Sequence, residues 1–362
     1  MFKNKTTGSI LGPKMSSKSL NIAYISSLHS QYFRNTLYIG LNKLDVSVDL
    51  YPTHKILSPT RVHPVYSTLM EDIRILKNKL SSYDYIVVSP RNDLEQIYLN
   101  RIIKSIEKYE IPLVIVDIGD ILEYRPVLFS KKLIKYFKRE FIPPTYRKVP
   151  HHHRVRSVLN SVAISCRAYW NNPLFAPILS FQTYDPKIAP FFLGITDIKR
   201  MLNFNIDNSC KHKPIDVSFI ARLNNPLRRQ ISNKLVELKN KYDLNIVVGS
   251  GFSLSEYYKI ISLSKISISV PGIGFDTFRY YEIPYFSTAL VSFRLPIQIP
   301  DNFENWKSAV FFDEPDEIED IILKLLATKK WKRIGHAGYR KIMKNFIDIK
   351  VAEYFLEKLE KR

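Results

Sequence analysis

The feature that most constrains the fold is a steady alternation of short apolar, β-branched runs with longer amphipathic stretches. Segments 21–27 (NIAYISS), 46–51, 85–89 (YIVVS) and 112–117 (PLVIVD) read as buried strands, and 32–44, 68–80 and 93–109 read as helices. Strands separated by helices are joined by crossovers, so they run parallel in a sheet covered on both faces. Sheets of this kind take ligands outside the carboxyl ends of their strands.

A second series begins at 216–221 (DVSFIA) and continues through a helix at 226–242, a strand at 245–248, a short helix at 255–262 and a strand at 266–270. A short helix near 277–283, strands at 287–292 and 310–312, and helices at 315–327, 331–345 and 351–361 complete it. Between the two series, 124–208 is proline-rich and less periodic; 162–166 (VAISC) reads as the strand that closes the first sheet, and polar 197–213 reads as a linker. The reading is therefore α/β: a flexible basic tail (1–18), an N-terminal Rossmann-like domain (19–200), a C-terminal Rossmann-like domain (214–350) and a terminal helix (351–362). No fixed-period repeat is present, which excludes a solenoid.

Composition narrows the class. With 45% hydrophobic residues each domain can bury a core, so the chain is not disordered. Its two cysteines, Cys166 and Cys210, make neither a disulfide framework nor a C-x-x-C pair, in keeping with a reducing cytoplasm. No apolar run reaches the ~18 residues that cross a bilayer, and 1–19 lacks the apolar core of a secretion signal. The net charge of +20 demands an anionic partner: nucleic acid, anionic lipid or a phosphorylated substrate. Locally, cations crowd 131–156 against Glu140 alone, interleaved with Leu133, Ile134, Phe137, Phe141 and Ile142. That pattern suits an anionic membrane surface, at the inner face of the membrane, or a phosphorylated acceptor. Nucleic acid is the less favoured partner, because no helix-turn-helix, zinc-finger or aromatic RNA-binding signature accompanies the charge. His151, His152 and His153 cannot all face one ion in regular structure, so no metal is expected. Oligomeric state leaves no mark in the sequence.

The chemistry concentrates in 265–291, KISISVPGIGFDTFRYYEIPYFSTALV. A buried strand ends in Pro-Gly-x-Gly (Gly272, Gly274), passes Asp276 and Thr277, and enters a short helix bearing Arg279 and Glu282. Glycines let the backbone approach a ligand, and a helix N-terminus attracts a diphosphate. Glu282 is placed to accept hydrogen bonds from adjacent ribose hydroxyls, with an exposed helical glutamate as the plain alternative. A second strand end, FIARLNNPLRRQ, carries Arg222 with Arg228 or Arg229, guanidinium groups that pair with phosphate oxygens bidentately. In the first half, Asp117 and Asp120 (VDIGD) close an apolar strand and are read as facing the cleft, either holding an acceptor hydroxyl as general base or simply capping a turn. Lys138 and Arg139 of YFKRE are read as acceptor or phosphate ligands, or as part of an amphipathic surface helix. A Walker phosphate loop is lacking, and Gly272-Ile273-Gly274 lacks the third glycine of a dinucleotide fingerprint, which excludes the kinase and dehydrogenase readings.

The succession of Arg222, NIVVGSG (Asn245 to Gly251), SEYYKIISLSKISISVPG, FRYYEIPYFSTALVS and HAGYRKIMKNF resembles the C-terminal half of group-one glycosyltransferases of the GT-B fold. In particular it is similar to the spore-maturation-protein-like branch, whose Arg-x-x-Glu element is matched by Arg279 and Glu282. The resemblance implies two facing Rossmann-like domains with parallel sheets and a C-terminal helix crossing back to the first. It implies a UDP- or GDP-linked sugar donor held by Arg222, Arg228, Arg229, Gly249, Gly272, Gly274, Asp276, Thr277, Arg279 and Glu282, with no cofactor. Transfer to a glycan, lipid-linked or other cell-envelope acceptor is the activity expected. Nucleic-acid binding, glycosylation of DNA bases and a silent scaffold are the rival readings. Many retaining members carry a glutamate eight residues before the ribose-binding one, where this chain has Gly274.

Overall fold

The computed structural model describes residues 20–26, 31–51, 66–89, 101, 105–119, 131–143, 185–195, 201, 213–272 and 274–361. The first sheet is built from β1 (Asn21–Ser26), β2 (Ser47–Tyr51), β3 (Tyr85–Ser89), β4 (Leu113–Asp117), β5 (Leu133–Lys138) and β6 (Ile188–Pro190). All its pairings are parallel, in the order β2-β1-β3-β4-β5-β6. Helices α1 (Gln31–Lys43) and α2 (Tyr66–Lys79) make the crossovers among the first three strands. Alternate side chains serve opposite faces. Ala23, Ile25, Ile86, Val88 and Ile115 pack with Ile73 and Leu76 of α2, while Ile22, Tyr24, Val87, Val114 and Val116 pack with Leu37 and Leu41 of α1.

Segment 133–138 corrects the expectation of a surface helix. It is a strand inside the sheet, with Tyr136 on one face and Phe137 on the other, both fully buried. The cations of this run hide the alternation of its apolar positions. The edge beyond it is β6, drawn from the proline-rich region; the strand expected at 162–166, the basic tail and His151 to His153 lie outside the described residues.

The second sheet has the order β11-β10-β9-β7-β8, again parallel throughout. Its strands are β7 (Ile215–Ile220), β8 (Ile246–Gly249), β9 (Ser264–Ser269), β10 (Ala289–Phe293) and β11 (Val310–Phe312). Around them lie α3 (Pro226–Tyr242), α4 (Leu254–Ser262), α5 (Phe278–Tyr285), α6 (Glu317–Ala327) and α7 (Lys330–Asn345). Local signals explain these boundaries. Asn225 caps α3 by accepting from Arg228 N ahead of Pro226, and Ser253 with Glu256 forms a reciprocal capping box on α4. Lys213, read as linker, is instead buried, donating to Ser262 O (2.8 Å), Phe286 O (3.2 Å) and Thr288 Oγ1 (2.8 Å).

The last helix, α8 (Asp348–Glu360), crosses back onto the first domain. Phe355 stacks on Phe137 with ring centroids 4.8 Å apart, Tyr354 donates to Pro190 O (2.7 Å), and Asp348 accepts from Lys43 of α1 (2.7 Å). One hydrophobic cluster consequently runs through both domains. No described helix is long and apolar enough to cross a membrane.

Candidate active site

The carboxyl ends of the two sheets face each other across a cavity of about 540 Å³. In the second sheet the chain passes from β7 to β8 on one side and then to β9 on the other, so β7 and β9 flank the topological switch point. The loops leaving these two strands form one wall of the cavity. They are stitched together by Arg228, which donates to Pro271 O (3.0 Å), Arg222 O (3.1 Å) and Asn224 Oδ1 (3.2 Å), and by Asn225, which donates to Pro271 O (3.1 Å). Arg228 lies so close to Gly272 that a Cβ there would come within 2.8 Å of Nη2, so only glycine fits without displacing the guanidinium.

That stitching presents two other arginines to the cavity. Arg222 is exposed at the end of β7, and Arg279, half-buried in the first turn of α5, carries a buried Nε with no hydrogen-bond partner among the described residues. Glu282, one turn further along α5, is 9% exposed. Tyr257 donates to its Oε2 (2.6 Å) and Tyr258 to its Oε1 (3.2 Å). Burial raises the Glu282 pKa above the ordinary carboxylate value, against the opposing pull of the two hydroxyls and of the Arg279 charge. The Tyr257 hydroxyl is held well above its own usual range by burial and by the Glu282 charge. A second recess of about 330 Å³, lined by Ser250, Gly251 and Phe252, shares Arg222, Leu254, Tyr257 and Arg279 with the main cavity.

The first domain supplies the opposite wall through Ile118, Gly119, Arg139 and Leu193. It also grips the glycine-bearing loop. Phe275 N donates to both oxygens of Glu140 (3.0 and 3.1 Å), and Arg139 donates to Glu140 (2.8 Å). Arg139 Nε stands 3.3 Å from Asp276 Oδ1, an ionic contact not aligned as a hydrogen bond. Asp276 Oδ2 accepts from Tyr281 (3.1 Å) and from Leu193 N (3.4 Å).

Several positions differ from expectation. Asp117 does not face the cleft: it is fully buried and accepts from Tyr136 (2.6 Å), Lys138 (3.0 Å) and Gly119 N (3.1 Å). Lys138, its ion partner, is fully buried as well and so is not presented to an acceptor. Arg139 does line the cavity, but as a buried, paired group. Of the pair Arg228 or Arg229, Arg228 reaches the cavity; Arg229 is exposed and donates to Leu223 O (3.2 Å). Gly272, Gly274, Asp276 and Thr277 line the cavity, whereas Gly249 lines neither the cavity nor the recess, and a Cβ there would come within 2.9 Å of the Phe252 ring. Asp120 lies outside the described residues. Sequence reading misses Tyr257, Tyr258 and Glu140; only a search for partners of Glu282 and of the glycine loop could find them. Among the described residues no group of three or more His, Cys, Asp or Glu side chains could hold a metal ion.

The architecture is similar to the crystal structure of a glycosyltransferase from Rickettsia africae ESF-5, over 95% of this chain and 98% of that one, with a TM-score of 0.51 at 12% identity. The fold is GT-B. Other similar structures are Anabaena HepE in complex with UDP-glucose (10% identity, TM-score 0.47, 95% and 100% of the two chains) and a sucrose-phosphate synthase from Thermosynechococcus elongatus (12%, 0.47, 94% and 98%). No protein-family model matches the chain, and no curated protein matches it in sequence. In this GT-B chain the cavity lies between the two Rossmann-like domains, lined on the C-terminal side by the guanidinium groups of Arg222, Arg228 and Arg279 and the carboxylates of Asp276 and Glu282.

Proposed function

We propose that the protein is a glycosyltransferase that takes a sugar from a nucleotide-sugar donor, UDP- or GDP-linked, and passes it to a glycan, lipid-linked or other cell-envelope acceptor. The observation that carries this reading is the convergence of Arg222, Arg279 and Glu282 on one cavity at the β7/β9 switch point. The GT-B fold favours it by analogy, since fold alone does not fix chemistry. Within the group we place the chain near the spore-maturation-protein-like branch on its Arg279-to-Glu282 element.

In this reading the diphosphate lies against Arg222 and Arg279 at the N-terminus of α5, where fixed positive charge meets the charge that grows on the leaving group. Guanidinium groups supply that neutralisation here without calling on a metal ion. Glu282 accepts hydrogen bonds from the ribose, and the recess beside Phe252 receives the base. Gly272, Gly274 and Thr277 let the donor approach the backbone, and Arg228 holds their loop. The acceptor comes from the first-domain wall at Gly119 and Arg139, with Asp120 as the carboxylate proposed to position its hydroxyl.

Thermal unfolding against a panel of nucleoside diphosphates and nucleotide sugars tests the proposal. A ligand at a hundred times its Kd stabilises by about 2.7 kcal/mol, a shift of several degrees. One donor family should give that shift in the wild type and lose it in Arg222→Gln/Arg279→Gln. Absence of a shift with every donor would refute the assignment.

A further inference from the structure

We infer that the outer face of α7 docks on an anionic lipid bilayer. Lys329, Lys330, Lys332, Arg333, Arg340, Lys341 and Lys344 stand on or immediately before this helix, and no acidic residue occurs between 329 and 345. Trp331, Ile334, Gly335, Gly338 and Ile342 fill the inner face. At 100° per residue the cations fall outside that face, Lys341 half-buried at its flank and the rest exposed. Arg333, Arg340 and Lys344 form one line, and the ridge from Lys330 to Lys344 is about 21 Å long at 1.5 Å per residue.

On two other basic helices several of the cations are paired, although Arg229 and Lys239 of α3 make no ion pair with a described residue. On α3, Lys234 pairs with Asp316 (2.6 Å) and Lys241 with Glu319 (2.8 Å), both contributed from α6 or its start. On and just beyond α8, Lys350 pairs with Glu353, and Lys358 and Lys361 with Glu357. None of the α7 cations makes an ion pair with a described residue. Glu304, whose carboxyl feels Lys341, is already bound to Lys307 (2.8 Å).

A Cβ on Gly335 would overlap the Ser287 carbonyl, and one on Gly338 would lie 2.9 Å from Ser308 O, so α7 is seated flush on the domain and presents its cations as a ridge along the surface. Single strands need aromatic platforms, and the exposed aromatics among the described residues, Tyr109, Tyr242 and Phe252, belong to other elements. The large apolar side chain exposed on the ridge is Met343. A flat row of cations without ion partners matches mobile anionic headgroups, which can gather beneath it. Segment 131–156 serves this purpose less well, because its Lys138 and Arg139 are buried and paired. The inference does not rest on the donor-site reading.

The test is co-sedimentation with vesicles of phosphatidylcholine alone or of phosphatidylcholine with phosphatidylserine. Lys332→Gln/Arg340→Gln/Lys344→Gln is compared with Lys77→Gln/Lys108→Gln/Lys239→Gln, which removes the same charge from exposed positions elsewhere. Wild type and the second triple should bind the anionic vesicles and release them in high salt, while the α7 triple binds roughly a hundredfold more weakly with an unchanged melting temperature. Should the α7 triple melt early, its three single variants, each expected to bind several-fold more weakly, give the same readout. Equal losses in the two triples, wild-type binding that ignores lipid charge, or an α7 triple that keeps vesicle binding while losing an oligonucleotide would each overturn the inference.

Discussion

Glu282 combines the most useful and the most costly chemistry of the cavity. Its pKa is raised because burial penalises the charged form more than Tyr257, Tyr258 and Arg279 favour it. Between the unfolded and the folded pKa the native protein binds more protons than the unfolded chain, so stability falls as pH rises through that window. Glutamine does not titrate. Glu282→Gln should therefore gain stability relative to wild type as pH rises from about 4, read as the difference in melting temperature across a pH series, while its nucleoside affinity falls. A difference that stays flat with pH would contradict the raised pKa. Glu282 is legible as a candidate because it follows a strand, a glycine pair and a helix start in close order. Asp117 and Lys138 escape sequence reading for an equally physical reason: they are register partners on adjacent strands, and strand register is invisible until β5 is placed. Their pairing is buried on both sides, so Lys138→Met should strand the Asp117 carboxylate and cost about 3–5 kcal/mol in urea unfolding. A loss below about 1 kcal/mol, the ordinary worth of an exposed pair, would place the pair at the surface.

Among elements, the second sheet is legible almost whole. Pro226 after Asn225 fixes the start of α3, Ser253 with Glu256 fixes α4, and the apolar runs between them are too short for anything but strands. The first sheet is legible through β4, then lost at β5, where cations interrupt an alternating core pattern, and at β6, a strand of three residues ending in Pro190. Helix α8 crosses back, as the family resemblance implies, by pressing aromatic rings onto β5. Phe355 is fully buried against Phe137, so it belongs energetically to the first domain although it lies near the end of the chain. Phe355→Ala should cost about 3–5 kcal/mol in urea unfolding. An unchanged midpoint would show that α8 is not seated on β5.

At the scale of the whole molecule, the two domains meet through specific polar contacts as well as a shared apolar cluster. Glu140 and Arg139 of the first domain hold Phe275 N and Asp276 of the second, so the loop that faces the proposed donor is held from both sides of the cleft. None of this is legible in the sequence, where Glu140 stands as one acid in a basic run and its partner is a backbone N–H far along the chain. The two-domain plan and the position of the cleft are legible, because parallel sheets place their loops, and hence Arg222, Gly272 and Glu282, at one end.

In the proposed function this cleft binds a nucleoside diphosphate through Arg222 and Arg279. Calorimetric titration with the nucleoside, its monophosphate and its diphosphate, for wild type and for Arg222→Gln/Arg279→Gln, tests it most directly. Each added phosphate should tighten binding to the wild type, and the increments should vanish in the variant. A nucleoside that binds as tightly as its diphosphate, or a variant that keeps the increments, would contradict it.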